Sequence, residues 1–377
     1  MMMFVVFRCS NSKQVNNIFF SSIFTGFVHF TFASNRLRVF RFIDQEKPWD
    51  ESLENCTKTN ESFVTLYDKG DINYIFEFVI YINASPWLGL RKSRKNVTTW
   101  SDGIPFTFNN SDVTVTNGMP ICEGIEQSKW TVFNCSDKKH FMCYKDNNYI
   151  LIQNERKTWC QAQLYCRRHF TDLVSISNET QNTQVIEEGK NKTFWIGLLH
   201  DEWEWVDNSC STFRDWDSDG SFRSLNCSAL SHSGRSMTGA ECNDTDKPTF
   251  CSKGKVRIQV VHLNLTWEDA FDYCADNHTS LLQIEDSEDQ KAVEQWLNYT
   301  TGDGPFWIGL RQSRVFGFWI WRDKTVSYSN WMDGRQPEMP ISDNCGVINK
   351  TDYKWRDENC WHEHPFICEE EISFMNK

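Results

Sequence analysis

Cysteine is the side chain with the most chemistry to offer here, and the chain of 377 residues holds fifteen. A thiol can ligate zinc, act as a nucleophile or close a disulfide, and spacing decides among these. No Cys-X-X-Cys pair occurs, so zinc cages built on thiolate pairs are not expected. His362-Glu363-His364 offers two imidazoles and a carboxylate. It lacks the helical histidine spacing of His-Glu-X-X-His and, so close to Cys360, it reads as a solvated loop. Neither Gly-X-Ser-X-Gly nor a phosphate-binding loop occurs, and no Gly-X-Gly-X-X-Gly has a supporting context. The acidic pairs Glu285-Asp286 and Glu288-Asp289 fall at a predicted helix start, where they complement the helix dipole. No catalytic constellation emerges, and the chain is not expected to be an enzyme.

The remaining reading is a disulfide framework in an oxidising compartment. Fourteen Asn-X-Ser/Thr sequons point the same way, at Asn55, Asn60, Asn83, Asn96, Asn109, Asn134, Asn178, Asn191, Asn226, Asn243, Asn264, Asn277, Asn298 and Asn349. They suggest a glycosylated, secreted or cell-surface protein. A net charge of −12 argues against nucleic acid or an anionic membrane face as partner. Residues 1–34 contain an apolar stretch, Ile18 to Ala33, after Arg8 and Lys13. It reads as a signal peptide cleaved near Ala33 or Ser34, or as a wrongly assigned start of the chain. No other segment offers eighteen apolar residues, so no membrane-spanning helix is expected after it.

The length suits two or three domains, and a repeat shows which. Trp-Leu/Ile-Gly-Leu occurs at Trp87, Trp195 and Trp307, each inside a four-cysteine frame. The frames are Cys56, Cys122, Cys135 and Cys143; Cys166, Cys227, Cys242 and Cys251; and Cys274, Cys345, Cys360 and Cys368. From the first cysteine to the tryptophan the gaps are 31, 29 and 33 residues; between the last two cysteines they are 8, 9 and 8. Four landmarks held in register three times mark tandem copies of one domain, with boundaries at 38–144, 148–252 and 256–370.

The copies resemble the C-type lectin-like fold. The third carries LTWEDAFDYC, FWIGL, QPE, NCGVI, KWRDENC and HPFIC; the second TWCQAQLYC, FWIGL, NCSAL and KPTFC; the first PWDESLENC, PWLGL, ICEGI and KHFMC. In tandem array they are similar to mannose-receptor-like or fish-type lectins. The resemblance implies an α+β fold: two helices beside small antiparallel sheets, with a long loop region. It also implies outer disulfides Cys56–Cys143, Cys166–Cys251 and Cys274–Cys368, and inner ones Cys122–Cys135, Cys227–Cys242 and Cys345–Cys360. An outer bridge closing about 90 residues contributes on the order of 4–5 kcal/mol in the chain-entropy account. Cys9 falls in the leader. Cys160 and Cys210 occur in the second copy alone; six residues of helix turn Cys160 well away from Cys166, so Cys160–Cys210 is the expected extra bridge.

Sugar-binding members of the family hold Ca²⁺ with loop and strand oxygens. The ion demands six to eight of them. In the third copy the matching positions are Gln336 and Glu338 around Pro337, then Asp343 and Asp357. Arg356 stands where an asparagine ligand is expected, and a guanidinium cannot ligate a cation. Pairing of Arg356 with Glu338 or Asp343 would do electrostatically what the ion does elsewhere. The second copy has Met237-Thr238-Gly239 and the first Trp130-Thr131-Val132 at this place, so Ca²⁺ is open to the third copy only.

Local patterns in the third copy fit. Thr266 is positioned to cap a helix to Asn277, with Ala270, Phe271 and Cys274 inward. Ser280–Glu285 reads as a strand. Ser287-X-X-Gln290 reads as a capping box opening a helix to Leu297. Phe306–Leu310 and the alternation around Trp319 and Trp321 read as strands. The sequence therefore describes an extracellular recognition protein that binds glycans, glycoproteins or protein receptors. Its alternative is a calcium-independent, protein-binding receptor ectodomain without sugar binding. The short linkers at Tyr144–Tyr149 and Ser252–Val256 predict modules fixed in relation to each other.

Overall fold

The computed structural model describes residues 36–79, 84–93, 97–111, 117–231, 235–313, 315–322, 324–337 and 344–376, the Phe78 side chain excepted. The predicted leader at 1–34 and Cys9 lie outside them. The front half of the first repeat runs β1 (Val39–Ile43), α1 (Trp49–Thr57), β2 (Ser62–Phe63), α2 (Lys69–Val79) and β3 (Trp87–Lys92). Its back half is β4 (Thr98–Trp100), β5 (Ile121–Glu126), β6 (Lys129–Asn134) and β7 (Lys139–Lys145). The second repeat follows with β8 (Asn148–Lys157), α3 (Trp159–His169), β9 (Asp172–Leu173), α4 (Glu179–Glu188) and β10 (Phe194–His200), then β11 (Trp203–Trp205), β12 (Cys227–Leu230), β13 (Met237–Ala240) and β14 (Thr249–Lys253). The third has β15 (Val256–Leu265), α5 (Trp267–Asn277), β16 (Ser280–Leu281), α6 (Ser287–Tyr299), β17 (Phe306–Gln312), β18 (Trp319–Trp321), β19 (Asn344–Ile348), β20 (Trp355–Asn359) and β21 (His364–Glu371).

The α+β class holds, and the third repeat closes on itself. Its sheet runs β15-β21-β17-β19-β20, with β16 on β21 and β18 on β17. Thr266 caps α5 by accepting from Asp269 N. The helix after it is capped one residue earlier than expected: Asp286, not Ser287, accepts from Glu288 N and Asp289 N. The predicted strand at Ser280–Glu285 shortens to two residues. Asp289 does more than complement the dipole. It is buried and binds Leu37 N and the Arg36 guanidinium.

The first two repeats do not close on themselves. One sheet runs β1-β14-β3-β12-β13 and the other β6-β5-β10-β7-β8. Each has the strand order of the third repeat, but each joins the front half of one repeat to the back half of the other. Two turns accompany the exchange. Tyr144↔Tyr149 and Lys145↔Asn148 pair across Asp146 and Asn147, both at positive φ (50° and 62°). This is the two-residue hairpin turn that Asp and Asn favour. It holds β8 beside β7, in the slot that the first strand of the repeat would otherwise take. The second turn is one that fails to form. In the third repeat β17 folds back onto β18 through Ser313–Phe318, with Gly317 at φ 74°. In the second, only Asp201 and Glu202 separate β10 from β11, and neither takes the left-handed φ of a two-residue hairpin here. The chain crosses over instead: β11 pairs with β3, β4 pairs with β10, and the crossing strands bond through Ser93 N to Glu202 O and Asp201 N to Val97 O.

The disulfides follow the exchange and correct the expected outer pairs. Cys56 is bonded to Cys251 and Cys143 to Cys166, not Cys56 to Cys143 or Cys166 to Cys251. The structure pairs Cys274–Cys368, Cys122–Cys135, Cys227–Cys242 and Cys345–Cys360. Cys160–Cys210 joins α3 of one globule to a loop of the other, so it staples the interlaced pair together.

A shared lock holds each front half. The helix tryptophans Trp49, Trp159 and Trp267 donate to Leu88 O, Ile196 O and Ile308 O of β3, β10 and β17. The strand tryptophans Trp87, Trp195 and Trp307 donate back to Lys47 O, Lys157 O and Leu265 O. All six are buried, their N–H groups satisfied as buried indoles require. Gly309 follows because Leu281 O and Leu282 O lie 3.0 Å from where a Cβ would stand.

The third module docks on the pair through Phe40, Tyr74 and Trp296, with ring centroids 4.7–5.5 Å apart. The segment after β21 reaches back to the pair. Cys210 N donates to Ser373 O, and Ile372 and Met375 are buried.

Candidate functional site

The candidate rim of the third module lies on β19, β20 and the loop before them. β19 and β20 are antiparallel, with Gly346 opposite Asp357 and Val347 opposite Arg356. Trp355 is buried and donates its indole N–H to Gln290 Oε1, which anchors the strand. Asp357 is exposed, and its Oδ2 accepts from Asn344 Nδ2 at 2.9 Å. Gln336 is exposed on the loop. Glu338 and Asp343 lie outside the described residues. Asn344 is an oxygen-bearing side chain that the sequence reading passed over; its place directly before Cys345 was the available signal.

Arg356 makes a two-point ion pair with Asp352, at 2.6 and 3.2 Å, and its Nε lies 3.1 Å from Met332 Sδ. Hydrogen bonding to this guanidinium holds the Asp352 carboxyl below the usual carboxylate range. The fixed cation therefore sits one residue from Asp357. Among the described residues, Gln336, Asn344 and Asp357 supply far fewer oxygens than calcium requires, and Arg356 adds charge of the wrong sign. The described residues do not by themselves form a calcium cage.

The other two rims belong wholly to back halves, so the exchange leaves each intact while moving it onto the other repeat's front half. At one, Thr238 donates to Asp219 Oδ2 at 3.0 Å and Asp219 accepts from Ser221 N, bonds that hold its carboxyl down. At the other, Trp130 donates to Asn182 Oδ1 at 2.9 Å, across repeats. A cavity of about 700 Å³ lies where all three modules meet, bordered by Asp68, Arg168, Arg257, His278 and Glu370. There burial would raise the Asp68 carboxyl, but the ion pair with Arg257 and a hydrogen bond from Gln259 outweigh it and hold Asp68 down to about 2.

The C-type lectin domain model matches residues 45–145, 155–253 and 263–370, well over half of the chain. The chain belongs to the C-type lectin domain family. It is 24% identical over 270 residues to human lymphocyte antigen 75, covering 62% of this chain and 15% of that protein. It is 20% identical over 408 residues to rat C-type mannose receptor 2, covering 85% of this chain and 27% of the relative. The chain thus spans less than a third of the length of these relatives. Among solved structures, the carbohydrate-recognition domain of a mouse scavenger receptor C-type lectin is 28% identical, covers 31% of this chain and 91% of its own, and has a TM-score of 0.28. The three matched segments establish the tandem C-type lectin architecture, and the rat relative is named a receptor. Among the described residues, no helix is long and apolar enough to cross a membrane.

Proposed function

We propose that this chain is an extracellular recognition protein that binds glycan or protein ligands through its lectin domains, largely without calcium, and that it is not an enzyme. The observation that carries this reading is the Arg356–Asp352 ion pair on β20. It puts a guanidinium at the strand position where a calcium-dependent lectin needs an oxygen ligand. Seven disulfides suit an oxidising compartment. The sequon asparagines Asn60, Asn109, Asn191, Asn226, Asn243 and Asn298 are all exposed, as glycan acceptors must be. The modules are held rigidly by the exchange and by the docked third module, so their rims keep fixed separations and suit multivalent ligands.

Calcium is open to the third module alone, where its ligands would be Gln336, Glu338, Asp343 and Asp357. Titration calorimetry of the whole chain with Ca²⁺, followed by a glycan array with and without chelator, tests the proposal. Weak or absent calcium heat with chelator-insensitive binding is expected; tight calcium binding and chelator-sensitive glycan capture would overturn it. Arg356→Asn removes the misplaced cation and should raise calcium affinity at least about tenfold, some 1.4 kcal/mol.

A further inference from the structure

A second cluster on the third module has ligand chemistry of a different kind. Glu358 on β20, His362 in the following turn and His364 at the start of β21 each offer one ligand atom, and these atoms lie within 4.8 Å of one another. His362 Nδ1 is 2.8 Å from Glu358 Oε1. Side chains alternate along a strand, so Glu358 leaves the face of Asp357 and shares that of Arg356, while His362 and His364 lie beyond the end of β20.

The turn that carries the cluster is held from several sides. Cys360 is bonded to Cys345 on β19, and its carbonyl accepts from Trp267 N at 3.0 Å. His362 N donates to Asn359 O at 2.9 Å, and Trp361 N to Asn359 Oδ1 at 3.0 Å. The His364 ring meets Trp307 edge to face at 4.9 Å. Its Nε2 is buried without a hydrogen-bond partner among the described residues, which leaves a lone pair or proton unspent beside the cluster.

We propose that Glu358, His362 and His364 form a Zn²⁺ site on the surface of the third module, with its fourth coordination position open. Two imidazoles and one carboxylate suit zinc rather than calcium or magnesium, which prefer oxygen alone. Tetrahedral zinc with bonds of about 2.0–2.1 Å places its ligands about 3.3 Å apart. Zinc binding therefore requires the exposed His362 and the half-buried Glu358 side chains to draw in toward His364. The fourth position can accept water or a donor from a bound molecule.

The test is equilibrium dialysis of the full glycosylated chain against Zn²⁺, with Co²⁺ absorption as a second readout of tetrahedral nitrogen and oxygen ligation. One zinc per chain is expected, with affinity falling at least about tenfold in His362→Ala and in Glu358→Gln. His362 is exposed and Glu358 half-buried, and melting of the metal-free variants checks that they fold. Absence of stoichiometric zinc, or zinc binding that neither variant weakens, would overturn the proposal. The calcium titration is independent, so failure here leaves the lectin reading standing.

Discussion

The third repeat and the first two have the same strand order, yet one closes alone and the others close only on each other. The position five residues after the strand tryptophan shows the consequence. In the third repeat it is Gln312, whose amide donates to Gly317 O of its own hairpin. In the second it is His200, whose ring reaches across to Thr98 Oγ1 at 2.9 Å and Glu123 Oε1 at 2.6 Å, both in the first repeat. The same place in the fold serves an internal turn in one case and a buried inter-repeat contact in the other. Topology is conserved through the exchange because each globule still receives one front half and one back half. Covalent connectivity alone changes.

The largest effect available to break this comparison is in the disulfide map. Non-reducing peptide mapping should recover Cys56–Cys251 and Cys143–Cys166; recovery of Cys56–Cys143 with Cys166–Cys251 would show that all three repeats close alike. Rebuilding the turns should move the first two repeats toward the third. Extending Asp146-Asn147 with about eight Gly/Ser residues and replacing Asp201-Glu202 with Asn-Gly is expected to yield a detectable fraction of intra-repeat outer bridges. No such fraction would mean that these turns do not direct the exchange.

A smaller effect comes from the buried contact. Glu123→Ala strands His200 in the interior and should cost about 2–4 kcal/mol in denaturant unfolding, whereas Gln312→Ala in the third repeat should cost about 1 kcal/mol. Equal losses would erase the distinction. The smallest effect is acid sensitivity where the third module meets the first. The Asp68 carboxyl is depressed in the folded state, so its contribution is present above the unfolded value near 4 and is lost as pH falls toward about 2. Asp68 is partly exposed and solvent screens the pair, so Asp68→Asn should flatten the acid limb only slightly. A steepened limb would contradict the sign.

Much of this molecule was legible before its fold was known. The cysteine lattice, the three Trp-Leu/Ile-Gly-Leu strands, the α+β class and the Thr266 cap all depend on local residue types and spacing. Arg356 also announced itself, since a guanidinium at a ligand position has the same meaning in any surroundings. Its partner Asp352 is decided by the hairpin that brings the two together. The His362 and His364 pair looked like a solvated loop, because the sequence does not show that the Cys345–Cys360 bridge and Trp307 hold the turn and bury one ring atom.

Which half pairs with which half was decided by tertiary structure. Repeated halves present the same complementary surfaces, so the spacing of cysteines is equally consistent with closure within a repeat or between repeats. Two short connections differ where the exchange occurs: Asp146-Asn147, whose φ values form a tight hairpin, and Asp201-Glu202, at which the chain crosses over. Their effect is felt only when whole sheets must close around them.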